Sequence, residues 1–365
     1  MTVGLDVSPM GWPGSGIARY ARGLLEALPQ LDAAPAVLPL ANRRVDDVVD
    51  TVGPRFVSRS AWTFALLPMW LRRSRVDVFH GTSYYAPFAS GVPTVVTVHD
   101  LSTFVFPEAH PRSRVLRAKA MFGHVARNAA AIITPSEATK ADVAHWLDVP
   151  VDRIHVVPGA PGRQFRPVDP TVAAEVARRD GLEPGYFLAL GTVEPRKYLG
   201  RVVDAIARLG TESDPPRLVV AGRSGWNADP TLRRAETLVA RGLVRFLGHV
   251  PDEDLPGLLG AAKALVYPSL HEGFGLPIVE AMACGTPVIT SLAAGATRET
   301  AGGAALTVDP LDVDAIASAM RTVADPSTAA DLRQKGIRRA AEFSWARSAR
   351  ETAAVYDLVR REDAR

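Results

Sequence analysis

The sequence predicts an α/β protein of two Rossmann-like domains facing each other across a cleft, and three observations carry that prediction. Short runs of aliphatic and β-branched residues alternate with helical-period segments along the whole chain, the pattern of parallel sheets wrapped by crossover helices. The series restarts near Tyr186, after a stretch rich in proline and glycine. The 365 residues also exceed what one hydrophobic core usually serves.

In the first half, apolar runs at Val3 to Ser8, Ala36 to Leu40, Val76 to Gly81, Thr94 to Asp100, Ala131 to Ser136 and Ile154 to Gly159 read as strands. Ile17, Tyr20, Ala21, Leu24, Leu25 and Leu28 recur at the spacing of one helical face, so the first helix begins just after the turn Gly14-Ser15-Gly16. The second series has strands at Phe187 to Gly191, Leu218 to Gly222, Val244 to Gly248, Ala264 to Ser269 and Pro287 to Ser291. Between them, residues 157–170 lack either periodicity and read as the interdomain connection. The boundaries are therefore set at 1–165 and 166–343, and the tail from Ser344 reads as a long helix with Trp345, Ala349, Ala353 and Tyr356 near one face.

Composition excludes several classes. Hydrophobic residues at 47% and charged residues at 22% sit at globular averages, and no apolar segment reaches the length of a membrane span. The first residues show no export signal, and Cys284, as the sole cysteine, allows neither an intrachain disulfide nor a cysteine-rich zinc site. A cytoplasmic protein is expected. The net charge of +3 is small and its basic residues are scattered, which does not imply nucleic acid. The stretch from Trp62 through Trp70 to Arg72, Arg73 and Arg75 reads as an apolar helix packed in the first domain with a solvated basic end; a basic patch lying on a membrane surface is the alternative.

The most informative stretch is His271 to Gly285, H-E-G-F-G-L-P-I-V-E-A-M-A-C-G, laid out as strand, glycine turn, helix, strand. Gly273 and Gly275 let the backbone turn sharply and approach a ligand, and Pro277 suits the first helical position. Amides at such a helix start face an anion such as a diphosphate. Glu280 is expected in the first turn, able to accept from a ribose, and Glu272 ahead of the turn, near whatever hangs from the phosphates. Taken singly, Glu280 is an ordinary helix-start acid and Glu272 a surface loop residue.

The string as a whole resembles the signature of family 4 retaining glycosyltransferases of the GT-B fold, whose E-x7-E motif encloses the same G-F-G-L-P core. Residues 190–205, L-G-T-V-E-P-R-K-Y-L-G-R-V-V-D-A, are similar to the family's phosphate-binding turn, and Lys197 matches its phosphate lysine. Thr192 stands where many members carry arginine, so either Arg196 supplies that contact or the contact is absent. G-S-G-I-A-R-Y resembles the family's N-terminal loop, and the resemblance assigns donor contact to Gly16. His99 and Asp100, at the end of the strand T-V-V-T-V-H-D, match the family's H-D pair, with the histidine near the transferred sugar. Glu299 matches a position near the donor pocket, although Thr297 and Arg298 replace the usual neighbours. Asp6, His80, Ser136 and Glu137 sit at strand ends and read as turn or cap residues.

The resemblance implies transfer of a hexose from a nucleotide diphosphate sugar with retention, with His99, Glu272, Arg196 and Lys197 as catalytic residues. Donor binding would fall to Gly16, Arg196, Lys197, Gly273, Phe274, Gly275, Leu276 and Glu280. The second domain would hold the donor and the first the acceptor, with the terminal helix completing the first. No cofactor or metal is expected, since no D-x-D pair stands beside a plausible pocket and cationic side chains take the cation's role. GDP-mannose is the first candidate donor, because polysaccharide-building mannosyltransferases share the V-E-P-R-K and H-E-G-F-G-L-P style; the acceptor would be a saccharide or a lipid-linked one. Rival readings are a nucleotide-sugar epimerase or hydrolase of the same fold and a non-catalytic nucleotide-sugar binder. A dinucleotide oxidoreductase lacks its glycine fingerprint here.

Overall fold

The computed structural model describes residues 1–12, 14–45, 48, 51–54 and 57–363. These form two compact units. One comprises Met1–Val105, Arg112–Ala160 and Phe343–Arg365, the other Phe106–Pro111 and Pro161–Glu342.

The first unit is built on β1 (Thr2–Asp6), β2 (Ala36–Leu40), β3 (Val78–Gly81), β4 (Thr94–Thr97), β5 (Ala131–Thr134) and β6 (Ile154–Val156), all parallel in the order β2-β1-β3-β4-β5-β6. The second is built on β7 (Phe187–Leu190), β8 (Leu218–Ala221), β9 (Val244–Gly248), β10 (Ala264–Tyr267), β11 (Val288–Ser291) and β12 (Leu306–Val308), parallel in the order β12-β11-β10-β7-β8-β9. Each sheet changes direction of growth beside its first strand, the place where open α/β sheets bind ligands at their carboxyl ends.

The strands read as near-continuous apolar runs because both faces of each sheet are covered. In β7, Phe187 and Ala189 enter one core while Leu188 and Leu190 enter the other. β8 and β10 divide in the same way, with Val220 and Val266 on the first side and Val219 and Leu265 on the second. In the first unit Val78, Val95 and Ile133 face one core, and Phe79, Val96 and Ile132 the other. Leu188 is fully buried, and its truncation to alanine would cost about 2–5 kcal/mol.

Local signals set the helix ends. The helix Gly16–Ala27 starts on Ser15, whose hydroxyl accepts from the Ala18 amide at 3.1 Å. The helix Glu137–Leu147 starts on Ser136 in the same manner. The terminal helix Trp345–Asp363 lays Ala349, Val355, Tyr356 and Val359 on the apolar face of the first sheet. Residues 59–71 form a broken helix whose Trp62, Leu67 and Leu71 are buried, as the packed-helix reading requires, while Leu66 and Met69 stay exposed.

Several expected elements differ. β12 and the helix Pro170–Arg179 had no counterpart in the sequence reading. β4 ends at Thr97, so His99 and Asp100 stand in the loop beyond the strand rather than at its end. The helix after the glycine turn runs Leu276–Ala283, with Gly275 as a left-handed cap. Glu280 consequently lies in the second turn and not in the first. No helix among the described residues is long and apolar enough to cross a membrane.

Candidate active site

The carboxyl ends of β7 and β10 in the second unit gather the charged residues. Beyond β7, Gly191 takes φ +112°, which an L side chain rarely adopts, and turns the chain toward the short helical turn Pro195–Lys197. Beyond β10, the loop through Glu272 reaches Gly275, whose φ of +97° starts the helix Leu276–Ala283. Backbone and side chain stitch the two loops together: the Leu270 amide donates to the Arg196 carbonyl at 3.0 Å, and the Arg196 guanidinium donates to the His271 carbonyl at 2.7 Å.

Glu272 sits between both cations. Its Oε2 is 2.8 Å from an Arg196 nitrogen and its Oε1 2.6 Å from Lys197 Nζ. Tyr267, the last residue of β10, donates its hydroxyl to Glu272 Oε1 at 2.9 Å and also meets Lys197 Nζ. Glu194 takes another side of Arg196 at 2.8 Å. The side chains of Glu272, Arg196 and Lys197 are only 10%, 12% and 15% exposed. Burial alone would raise the Glu272 pKa, but Arg196 and Lys197 outweigh it and hold the carboxyl well below the usual range. Burial draws the Lys197 ammonium below its ordinary value against the pull of Glu272. Burial and the neighbouring carboxylate push the Tyr267 phenol well up, so it remains a donor.

The geometry thus brings Glu272, Arg196 and Lys197 into one cluster, beside the turn that carries Gly273, Phe274, Gly275 and Leu276. Phe274 is buried, and its carbonyl accepts from the Thr300 hydroxyl at 2.7 Å. Glu280 is almost wholly buried in the same helix. Glu299 lies in the helix Gly295–Ala301, its carbonyl accepting from Arg339 at 2.8 Å. Tyr267 and Glu194 were missed from sequence; the only signal for Tyr267 was a polar-tipped aromatic at the end of an apolar strand. Among the described residues no group of three or more His, Cys, Asp or Glu is placed to hold a metal ion.

In the first unit, Gly16 opens the first helix. His99 Nε2 donates to the Thr82 carbonyl at 2.8 Å, since a carbonyl can only accept, and burial lowers the imidazole pKa. The neutral ring therefore presents Nδ1 as an acceptor. Tyr20 packs edge-on against it, with centroids 4.8 Å apart. Behind Tyr20 runs a buried polar chain in which its hydroxyl pairs with Thr97 at 2.9 Å, Thr97 with His80 at 2.8 Å, and His80 with Tyr356 of the terminal helix at 2.6 Å. His80 and Asp6 are more than turn residues, for Asp6 is buried, accepts from the Ser8 amide at 3.0 Å and pairs with Arg59 at 3.3 Å.

A glycine turn, a helix start and a cation pair at the carboxyl edge of a second α/β unit are the parts of a glycosyltransferase, and the comparisons agree. The model described as "Glycosyltransferase Family 4" matches residues 14–160, and that described as "Glycosyl transferases group 1" matches residues 177–342. The chain is 36% identical to the O-antigen chain mannosyltransferase B of Escherichia coli, over 98% of this chain and 100% of that protein. Among solved structures, sucrose-phosphate synthase from Thermosynechococcus elongatus superposes with TM-score 0.75 at 23% identity, covering 98% of this chain and 99% of the other. HepE of Anabaena, solved with UDP and glucose, gives 0.76 at 17% identity over 98% and 100%. These two likenesses are of fold. The chain belongs to glycosyltransferase family 4, and it is an enzyme of that class.

Proposed function

We propose that the protein transfers a hexose, with mannose from GDP-mannose as first candidate, to a saccharide or lipid-linked acceptor in cell-surface polysaccharide synthesis, with retention of anomeric configuration. It would act in the cytoplasm, at the inner face of the cell membrane. The observation that carries the reading is the clamp of Arg196 and Lys197 on Glu272, beside the start of the helix Leu276–Ala283. The likeness to the E. coli O-antigen chain mannosyltransferase supports the sugar and the pathway class, and the nucleotide in HepE supports a nucleotide donor.

In this reading the donor diphosphate takes Arg196 and Lys197 together with the backbone of residues 273–276, and the cations stabilise the charge that grows as the phosphate leaves. A metal ion is not required for that role. Glu280 serves the ribose. Glu272, released from the cations, orients the sugar or shields positive charge at its anomeric carbon, and the departing phosphate takes the acceptor's proton on the same face. In the first unit, His99 Nδ1 would accept from a sugar hydroxyl, and Gly16 would allow close backbone approach. Thermal-shift measurement against UDP, GDP, ADP, dTDP and their sugar conjugates tests the donor. Selective stabilisation by GDP and GDP-mannose is expected; response to another base would replace the donor, and response to none would overturn the nucleotide-sugar reading. Product analysis then separates transfer from hydrolysis or epimerisation.

A further inference from the structure

The first unit carries a one-sided charge that the functional reading does not use. Its residues 57–105 and 112–130 hold nine arginines and lysines against two acids, Asp77 and Asp100, although the whole chain is only +3. Both acids are engaged: Asp77 accepts from the Thr2 amide at 2.6 Å, and Asp100 from the Ser102 amide at 2.9 Å. The helix Arg112–Asn128 contains no acid in 17 residues. On its exposed face Leu116, at 70% the most exposed large hydrophobic among the described residues, is flanked at helical spacing by Arg112 and Lys119, with Arg117 beside it. The face continues sideways, because His124 of this helix packs against Phe88 with centroids 4.3 Å apart, and Phe88 stacks on Phe64 at 4.6 Å. Phe88 is 43% exposed, and Leu66 and Met69, on the broken helix that supplies Phe64, are 38% and 49% exposed ahead of Arg72 and Arg73.

We infer that this surface docks on a bilayer containing anionic phospholipid. Protein interfaces put a charge-depleted apolar patch at their centre; here single apolar tips stand among guanidinium and ammonium groups, the composition of an interfacial element whose cations meet headgroups while its apolar tips enter the acyl boundary. The sequence stretch ending at Arg75 is one margin of this surface, and the helix Arg112–Asn128 is its main body. For its purpose the inference rests on the lipid-linked acceptor, but its test does not.

The test is co-sedimentation of the full chain with vesicles of pure phosphatidylcholine and of phosphatidylcholine with phosphatidylglycerol. Binding is expected only to the mixed vesicles and should weaken as salt rises. Each basic residue near such a surface is worth about fivefold in partition. The variant Arg112→Glu, Arg117→Glu, Lys119→Glu should therefore lose roughly a hundredfold or more, and Leu116→Asp should weaken binding by itself. All four positions are exposed, and thermal shift with GDP in the same variants checks that fold and donor site are intact. No binding to the mixed vesicles, equal binding to both kinds, or binding that the triple variant leaves unchanged would overturn the inference. Vesicle binding with no nucleotide response would instead count against the donor reading and leave the surface standing.

Discussion

Glu272→Gln is the substitution that most directly probes the cluster. In the free protein both cations expected to hold the donor diphosphate are occupied by Glu272, at 2.8 and 2.6 Å. A diphosphate must therefore displace at least one charge-assisted hydrogen bond, worth about 1.5–3 kcal/mol. All three side chains are 15% exposed or less, so solvent weakens these pairs little. Glutamine keeps the size and removes the competing charge. The bare nucleoside diphosphate should then bind about tenfold to a hundredfold more tightly by isothermal titration, while sugar transfer falls steeply. The free variant should melt lower, because Lys197 is left buried without its counter-charge and Arg196 keeps only Glu194, and its gain in melting temperature on adding nucleotide should exceed that of the parent. Unchanged or weaker binding of the diphosphate would refute the reasoning, for it would mean that the ligand does not contend with Glu272 for these cations.

Lys197→Ala should abolish stabilisation by nucleoside diphosphate in thermal shift, with circular dichroism unchanged. Gly275→Ala places a side chain at φ +97° with Ile278 3.0 Å from its Cβ, so the urea midpoint should fall by the equivalent of about 1–2 kcal/mol, and nucleotide binding should weaken with it. His80 is wholly buried, and burial lowers its pKa to about 3. Between that value and the ordinary one the unfolded state holds the extra proton, so stability present above pH 6.5 is lost as pH falls toward 3, by about 4–5 kcal/mol at most; denaturant midpoints across this range should flatten in His80→Gln.

The strands of both sheets were legible because double burial leaves an uninterrupted apolar run, as in F-L-A-L of β7. β12 was not, since it is only three residues long at a sheet edge and buries Val308 alone. The helix Pro170–Arg179 buries only Ala173, Val176 and Ala177, a face too small to stand out behind a proline-rich approach. In the site, the glycine turn and its helix could be placed, but the left-handed Gly275 caps a helix that already begins at Leu276, so Glu280 falls in the second turn rather than the first. The chain order names Arg196, Lys197 and Glu272 separately; that they neutralise one another across 75 residues depends on β10 lying next to β7, which spacing does not reveal. Tyr267 was invisible for the same reason, whereas Glu194 meets Arg196 locally, two residues along the chain.

The chain leaves the first unit after Ala160 and returns to it at Phe343. Synthesis is vectorial, so Val3, Val78, Val95 and Ile133 emerge from the ribosome well before Ala349, Val355, Tyr356 and Val359, the residues that cover them. The second unit, nearly contiguous in sequence, can close while the first has only Tyr20, Leu24, Ala27 and Leu28 on that sheet face and a His80 lacking its Tyr356 hydroxyl. Residues translated after the second unit are thus needed to finish the first unit's fold, and a nascent chain stalled before them leaves part of that apolar face open to solvent and to association.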